Sequence, residues 1–312
     1  MTKEEFYFES RDKMTKLHGI RWIPDGKIHA ILQIAHGMVE YIDRYQEFAE
    51  FLTSRGYLVT GHDHLGHGLS VSQEMDYGYF CDQEESITVL VKDIHRLKKI
   101  TQEMYPDVPY YLLGHSMGSF LSRKYVTMYG TGIDGVLLLG TGAQNNVRLA
   151  VGRIVASCLG KLRGWHYRSD FINRLAFGKY NKRIDQPVSK NDWLSREESN
   201  VKAYNKDKQC SFIFTVNGFY TLFSLIAEVQ KKGQLNQLPL RLPVYFLAGA
   251  EDPVGHYGKD VERIYNCYKE LGMKDVTMKL YPGDRHELLN ETDKADVYAD
   301  IVTWLDGHAR IL

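Results

Sequence analysis

The sequence lacks most features that would take it outside ordinary globular proteins. Its 312 residues include four cysteines, Cys81, Cys158, Cys210 and Cys267, and no two stand at a zinc-ligand or redox-motif spacing. We therefore expect reduced thiols, buried or half-buried. Lysine and arginine number 39, as do aspartate and glutamate, so the chain has no net charge. Neutrality predicts no electrostatic attraction to nucleic acid or to an anionic membrane surface.

The sequence also shows no pattern typical of a leader peptide and no long apolar run. The residues after Met1 lack the basic and apolar regions of a signal peptide. The most apolar stretch, residues 212–227, contains polar interruptions and is shorter than the ~18–20 residues of a membrane span. These absences predict a cytoplasmic protein without a transmembrane segment. Hydrophobic residues nevertheless make up 44% of the chain, which is ample material for a packed core.

Short apolar runs alternate with helical patterns along the first 140 residues. The runs 110–113 and 135–139 are apolar without alternation, which is typical of strands buried on both faces of a parallel sheet. A helix is predicted between them over 117–129, and Asp43 and Ser86 are predicted to cap two earlier helices. The same rhythm resumes with strands over 244–248 and 276–281. This order predicts an α/β fold, with a mostly parallel central sheet flanked by helices.

Between these two series, from about Ala143 to Leu240, the sequence shows helical patterns and no buried strand. An excursion of that length cannot be a bare loop in a compact domain. The sequence therefore predicts a core made of residues 1–142 and 241–312. Residues 143–240 are predicted to form a helical cap, inserted before the late strands and lying over the carboxyl ends of the sheet.

The strongest motif is Gly114-His115-Ser116-Met117-Gly118, between the strand 110–113 and the helix 117–129. A serine at a sharp strand-to-helix bend has its hydroxyl exposed at the top of the sheet. Because an alcohol is a poor nucleophile, it needs a base to take its proton and an anion to orient that base. Ser116 is therefore predicted to be the nucleophile of a hydrolase.

The acid and the base should follow the serine in that order along the chain. Asp252 comes just after the strand 244–248, and His286 comes just after the strand 276–281. We predict these two residues to be the acid and the base of the triad. Glu251 and Asp284 are the rival acids.

A developing alkoxide needs two N–H donors. We expect one from the backbone of Met117 and the other from the backbone of Met38, in the loop after the third strand. The string HDHLGHG at 62–68 offers an alternative chemistry, since it contains Asp63 and three histidines that could hold a metal. A loop that packs beside the active site is the favoured interpretation.

These motifs together resemble α/β-hydrolases of the serine aminopeptidase, monoacylglycerol lipase and lysophospholipase family. The matching strings are HGMVE at 36–40 with Arg44-Tyr45, HDHLGHGLS at 62–70, GHSMG at 114–118, GAEDPVG at 249–255 and YPGDRHE at 281–287. In the predicted cap, DWLSR at 192–196 is similar to bacterial proteins of lysophospholipase type. The resemblance implies the α/β-hydrolase fold, the triad Ser116, Asp252 and His286, the donors Met38 and Met117, and no cofactor or metal.

The resemblance also implies a serine carboxylic-ester hydrolase that forms an acyl-enzyme intermediate. Its expected partner is a small-molecule ester with one acyl chain, a lysophospholipid or a monoacylglycerol, and no nucleic acid. Apolar side chains that crowd in the cap are candidates for the pocket wall: Phe212, Phe219, Tyr220 and Phe223.

One alternative is an aminopeptidase or amidase, in which cap acids would hold an ammonium group: Asp170, Asp185, Glu197 and Glu198. Another alternative is a binding protein without turnover. The head group, the acyl-chain length and the oligomeric state stay open.

Overall fold

A computed structural model describes residues 1–71, 73, 76–82 and 85–309. An eight-stranded sheet lies at its centre, in the order β1-β2-β4-β3-β5-β6-β7-β8. The strands are β1 (Thr2–Glu9), β2 (Lys16–Ile23), β3 (Ala30–Ala35), β4 (Tyr57–His62), β5 (Tyr110–His115), β6 (Gly135–Leu139), β7 (Val244–Gly249) and β8 (Val276–Tyr281). The pairs β1–β2 and β2–β4 are antiparallel, and all other neighbours are parallel.

Helices cover both faces of the sheet. They are α1 (Gln46–Thr53), α2 (Ser86–Met104), α3 (Met117–Tyr129), α4 (Asn146–Arg163), α5 (Asp170–Phe177), α6 (Glu198–Lys206), α7 (Val216–Val229), α8 (Lys232–Leu235), α9 (Lys259–Glu270) and α10 (Lys294–His308). Buried side chains of α1 and α10 share one hydrophobic core, and those of α2, α3 and α9 share the other. The predicted α/β fold with a mostly parallel sheet is confirmed.

The central strands are apolar on both faces because both faces are covered. Every residue of β3, β4, β5, β6 and β7 is buried. The edge strand β8 instead alternates between half-buried and exposed residues until Tyr281. Parallel neighbours bring the ends of β3, β5, β7 and β8 to one edge of the sheet, and the loops that follow these strands meet there.

Three local predictions need correction. Asp43 does not cap α1, because it lies in a preceding 3-10 turn, Ile42–Tyr45, and its carboxylate accepts from Nζ of Lys3 at 2.6 Å. The four cysteines are free, but Cys158 is exposed on α4 rather than buried. Ser86 is the first residue of α2 rather than its N-cap, and its hydroxyl donates to the carbonyl of Asp82 at 2.8 Å.

Five helices, α4 to α8, lie between β6 and β7. Helix α7 packs against α4 and also against α3, the helix that follows Ser116. We therefore propose that residues 143–240 form a cap on a core made of 1–142 and 241–312. No helix in the described part of the chain is both long enough and apolar enough to cross a bilayer.

Candidate active site

Ser116 occupies a sharp bend between β5 and α3, at the carboxyl edge of the sheet. Its backbone has φ 52° and ψ −117°, values that a residue other than glycine adopts only under strain. The turn also needs glycine two residues later, because a Cβ on Gly118 would lie 1.9 Å from the carbonyl oxygen of Ala35. This packing fixes the bend, and Ser116 lines a large cavity.

Two loops bring an acid and a histidine together at the same edge. Asp252 follows β7 and His286 follows β8, and both side chains are buried. The Nδ1 atom of His286 lies 2.9 Å from Oδ2 of Asp252, and the Val254 amide donates to Oδ1 of Asp252 at 2.8 Å. An ionised Asp252 places the imidazole proton on Nδ1 and leaves a lone pair on Nε2. Among the described residues this Nε2 has no hydrogen-bond partner, and His286 lines the same cavity as Ser116.

Neither rival acid is hydrogen-bonded to this imidazole within the described residues. Glu251 is exposed. The carboxylate of Asp284 contacts the Arg196 guanidinium instead. Burial, together with the neighbouring charges of Glu291 and Asp293, raises the pKa of Asp284 to about 7. The contact with the ring therefore favours Asp252 as the acid.

Two backbone amides near Ser116 are available as donors. Met117 is the first residue of α3, where amides lack a partner within the helix and the helix dipole is positive. Met38 lies in the loop after β3. Across the residues that the structure describes, neither amide donates to another group, and both residues line the cavity. This arrangement suits a pair of donors to an oxyanion.

The loop that carries Met38 is held in a strained conformation by buried side chains. Val39 has φ 57°, which is rare for a β-branched residue, and its amide donates to Nε2 of His67 at 3.2 Å. The Gly37 amide donates to the Glu40 carboxylate, and a Cβ at position 37 would lie 2.5 Å from that carboxylate. The hydrogen bonds of the Gly37 and Val39 amides together fix the orientation of the backbone at Met38, which lies between them.

Glu40 belongs to a buried charge network that the sequence interpretation did not single out as functional. Its carboxylate lies 2.8 Å from Nδ1 of His115 and accepts from Arg44 at 3.1 Å. Arg44 also donates twice to Glu287, at 2.8 and 2.9 Å. Because Glu287 directly follows His286, the network joins the loop of the predicted oxyanion donor to the loop of the predicted base.

The network keeps its charges despite burial. Burial acts to raise the pKa of Glu40 and of Glu287, but the charges of His115 and Arg44 lower the pKa of Glu40, and Arg44 lowers that of Glu287. Burial likewise acts to lower the pKa of His115, and the adjacent Glu40 reverses that effect and raises it. The four-residue spacing of Glu40 and Arg44 was a visible signal for an ion pair. The partnership with Glu287 gave no signal, since that residue is 243 positions from Arg44 along the chain.

The histidine-rich string 62–68 packs beside this site, as the favoured interpretation predicted. Asp63 accepts from the amides of Ile42 and Leu69 and lies 2.8 Å from Nδ1 of His18, so its oxygens are occupied. The His64 amide donates to Nε2 of His36 at 2.9 Å. Within the described ranges, the one group of side chains that could hold a metal is elsewhere, at Asp284, Glu291 and Asp293, and Arg196 already supplies a cation to it.

The cap segment 192–196, which carries the DWLSR string, is bonded to the loop of His286. Backbone amides of His286 and Glu287 donate to the carbonyls of Trp193 and Leu194, at 3.4 and 2.7 Å. Arg196 reaches three carboxylates of the same loop, those of Asp284, Glu291 and Asp293. The Trp193 and His286 rings lie 5.0 Å apart between centroids. This segment thus holds the predicted base from the cap side.

The cavity between cap and core has a volume of about 1080 Å³. Apolar side chains from both parts form much of its wall: Met38, Met117, Phe120, Leu149, Phe177, Leu194, Phe212, Ile213, Leu222, Phe223 and Ile226. Of the four predicted pocket residues, the structure brings Phe212 and Phe223 to this wall but not Phe219 or Tyr220. Phe219 is fully buried among other cap aromatics, and Tyr220 packs on Trp165. The face of α7 that carries Leu222, Phe223 and Ile226 is turned to the cavity.

Comparison with known proteins agrees with this geometry. A family model described as "Serine aminopeptidase, S33" matches residues 26–293, including Ser116, Asp252 and His286. The chain belongs to that family. The S33 match covers the proposed cap and most of the proposed core.

Two curated relatives and one solved structure are similar over nearly the whole chain. The monoglyceride lipase of Mus musculus is 30% identical over 288 residues, which is 91% of this chain and 84% of the relative. The monoacylglycerol lipase of Mycolicibacterium smegmatis is 27% identical over 291 residues, 92% of this chain and 91% of the relative. A thermostable carboxyl esterase from Bacillus coagulans, solved with glycerol, superimposes with a TM-score of 0.92 at 29% identity, covering 99% of both chains. This S33 protein is a serine hydrolase that acts on esters, with lipase-like relatives.

Proposed function

We propose that this ester hydrolase cleaves lipid esters with a single acyl chain, a monoacylglycerol or a lysophospholipid. The observation that carries the proposal is the cavity of about 1080 Å³ that includes Ser116 and is walled by apolar side chains of the cap. A cavity of that size, with apolar side chains from cap and core in its wall, suits an acyl chain. The similar lipases are named for the same kind of ester.

In the proposed mechanism, Nε2 of His286 takes the proton of Ser116 while Oγ attacks the ester carbonyl carbon. The amides of Met38 and Met117 donate to the oxyanion that forms. The imidazolium is stabilised by Asp252 and then protonates the leaving alcohol, which yields the acyl-enzyme. Water, deprotonated by His286, attacks this intermediate and releases the fatty acid.

The alternative of an N-terminal peptidase needs an acidic group near the nucleophile to hold an ammonium. None of the four candidate acids of the cap, Asp170, Asp185, Glu197 and Glu198, lines the cavity in the described structure. Two other acids do line it, Glu40 and Glu287, but Arg44 and His115 already pair with them. The site therefore favours an ester over a substrate with a free amino terminus.

An acyl-chain series tests the substrate class. Burial of each methylene contributes about 0.8 kcal/mol, so kcat/KM should rise about fourfold per carbon until the cavity is full. The measurement compares p-nitrophenyl esters from acetyl to decanoyl, followed by monoacylglycerols and lysophospholipids of the preferred length. Amino-acid p-nitroanilides serve as the peptidase control. A flat or falling series, or faster cleavage of the anilides, would contradict the proposal.

A further inference from the structure

Charge is unevenly divided between the proposed cap and core. Residues 143–240 contain 16 lysines and arginines against 7 aspartates and glutamates, a formal charge of +9, and the rest of the chain carries −9. Residues 143–190 alone contain ten basic residues and two acidic ones. The zero net charge therefore conceals a basic cap, because the charges of the two parts cancel in the sum.

The same segment exposes apolar side chains. Residues 143–190 hold seven of the fourteen large hydrophobic residues that are exposed in the described part of the chain. We call these seven the cap face: Val147, Val151, Ile154, Leu162, Phe171, Leu175 and Val188. Four of them lie along one side of α4, whereas the small residues on its other side, including Gly152 and Ala156, are buried toward α7. An exposed apolar stripe on a helix with no partner points to a binding surface.

The cap face adjoins the entrance of the cavity. Val147, Val151 and Leu175 belong to both, since they also line the cavity. Six basic residues line the cavity with them: Arg148, Arg174, Lys179, Lys182, Arg183 and Lys190. Four of these make no side-chain hydrogen bond or ion pair with any described residue: Arg148, Lys179, Lys182 and Lys190. Their charges are available to a ligand.

We propose that the cap face docks on a lipid bilayer that contains anionic lipids, with the cavity entrance against the bilayer. Apolar side chains on such a surface enter the boundary between head groups and acyl chains, and basic side chains pair with lipid phosphates. The inference rests on the proposed function, because a single-chain lipid ester reaches the cavity from a bilayer.

Two other occupants fit less well. A head-group site inside the cavity leaves Ile154, Leu162, Phe171 and Val188 unexplained, because none of them lines the cavity. A second copy of the chain would bring two surfaces of strong positive charge together, which opposes association. An anionic bilayer, in contrast, would contact both the apolar and the basic residues of this surface.

Sedimentation with vesicles tests the docking. The protein is the full chain with Ser116→Ala, so that no lipid is hydrolysed during the measurement. Each basic residue near an anionic surface raises the partition coefficient about fivefold. We therefore expect partition onto vesicles of equimolar phosphatidylcholine and phosphatidylglycerol to exceed partition onto phosphatidylcholine by at least about a hundredfold at low salt.

Matched variants locate the surface. The triple change Lys179→Gln, Lys182→Gln and Lys190→Gln should lower partition onto the anionic vesicles about a hundredfold. The control triple Lys92→Gln, Lys99→Gln and Lys274→Gln removes three exposed charges of the core and should change it less than about threefold.

A second double variant, with its own control, tests the exposed apolar residues. Ile154→Ser with Phe171→Ser should lower partition onto the anionic vesicles about tenfold or more. The control, Met14→Ser with Met104→Ser, changes exposed core residues and should have little effect. Three results would overturn the proposal. The first is equal partition onto the two vesicle types, and the second is an equal effect of a variant set and its control. The third is a dimer of the free protein that dissociates when Ile154→Ser and Phe171→Ser are introduced. Vesicle binding without any hydrolysis of lipid esters by wild type would refute the proposed function and leave the docking intact.

Discussion

Backbone strain at single residues occurs where the proposed reacting groups meet. Ser116 and Val39 both have positive φ values, and each precedes or follows a proposed oxyanion donor, Met117 or Met38. Strain of this kind costs about 1–3 kcal/mol per residue and persists only where surrounding contacts hold it. Here the contacts are the buried hydrogen bonds of the loops and the close approach of Gly118 to β3.

Arg44 tests how strongly the buried network supports the fold. It contacts two buried carboxylates, and among the described residues Arg44→Ala would leave Glu287 without a cation and Glu40 with His115 alone. Removal of one partner from a buried ion pair costs about 3–5 kcal/mol. We expect urea unfolding to report a loss of that size, with Arg55→Ala, a change at an exposed arginine, as the control. A loss below about 1 kcal/mol would show that the network contributes little.

The buried ring of His62 leads to a prediction about the stability of the fold at acid pH. Burial, assisted by the charge of His36, lowers its pKa to about 3, and neither ring nitrogen has a hydrogen-bond partner among the described residues. The unfolded chain binds a proton at this residue below pH ~6.5 and the folded chain does not until pH ~3, so stability falls as the pH drops through that window.

The substitution His62→Leu removes this proton-linked loss. At pH 5 the variant should gain about 2 kcal/mol in free energy of unfolding, relative to wild type, beyond any difference at pH 7. Urea unfolding of both proteins at the two pH values measures the gain. Parallel pH dependence of the two proteins would mean that His62 is not buried as a neutral ring.

At the scale of elements, the cap segment 192–196 and the loop after β8 behave as one unit. Arg196 bonds to Asp284, Glu291 and Asp293 on that loop, and Trp193 lies against His286. Arg196 does not line the cavity, so we expect it to affect the reaction only through the position of His286. Small displacements of a base reduce turnover without weakening substrate binding.

Arg196→Gln should therefore lower kcat about tenfold while KM changes less than about twofold. Lys202→Gln, which breaks an exposed ion pair with Glu198 in the same cap, should leave both constants near wild type. The assay uses a soluble p-nitrophenyl ester, so that docking on lipid does not contribute. An unchanged kcat for Arg196→Gln, or equal effects of the two variants, would remove Arg196 as a positioning residue.

At the scale of the whole molecule, the sequence predicted the sheet better than the cap. The strands β6, β7 and β8 and the helix α3 were predicted to within a residue, because a buried parallel sheet requires continuous apolar runs between amphipathic helices. The helices α5 and α6 were not predicted. They are only eight and nine residues long and bury few side chains, Ile172 in one and Val201 and Tyr204 in the other, so they fall short of the roughly 11–18 residues over which a periodic pattern is read.

The candidate site was likewise predictable from the sequence only in part. The order of Ser116, Asp252 and His286 along the chain predicted residues that the sheet brings to one edge, because topology fixes which loops meet there. The bond from Arg44 to Glu287 and the bonds from Arg196 to the loop of His286 depend on how distant side chains pack, which no local pattern encodes. The net charge of zero concealed the basic segment 143–240 for a related reason, since a sum over the chain discards position.

The most direct test of the account is the rate at which Ser116→Ala hydrolyses a monoacylglycerol, compared with wild type at equal concentration of folded protein. Circular dichroism and urea unfolding establish that the fold is retained. If Ser116 is the nucleophile, the variant should be slower by about 10⁴-fold or more, with a small residual rate from the oxyanion donors. A variant that retains even a tenth of the wild-type rate would contradict the assignment of Ser116 and with it the proposed mechanism.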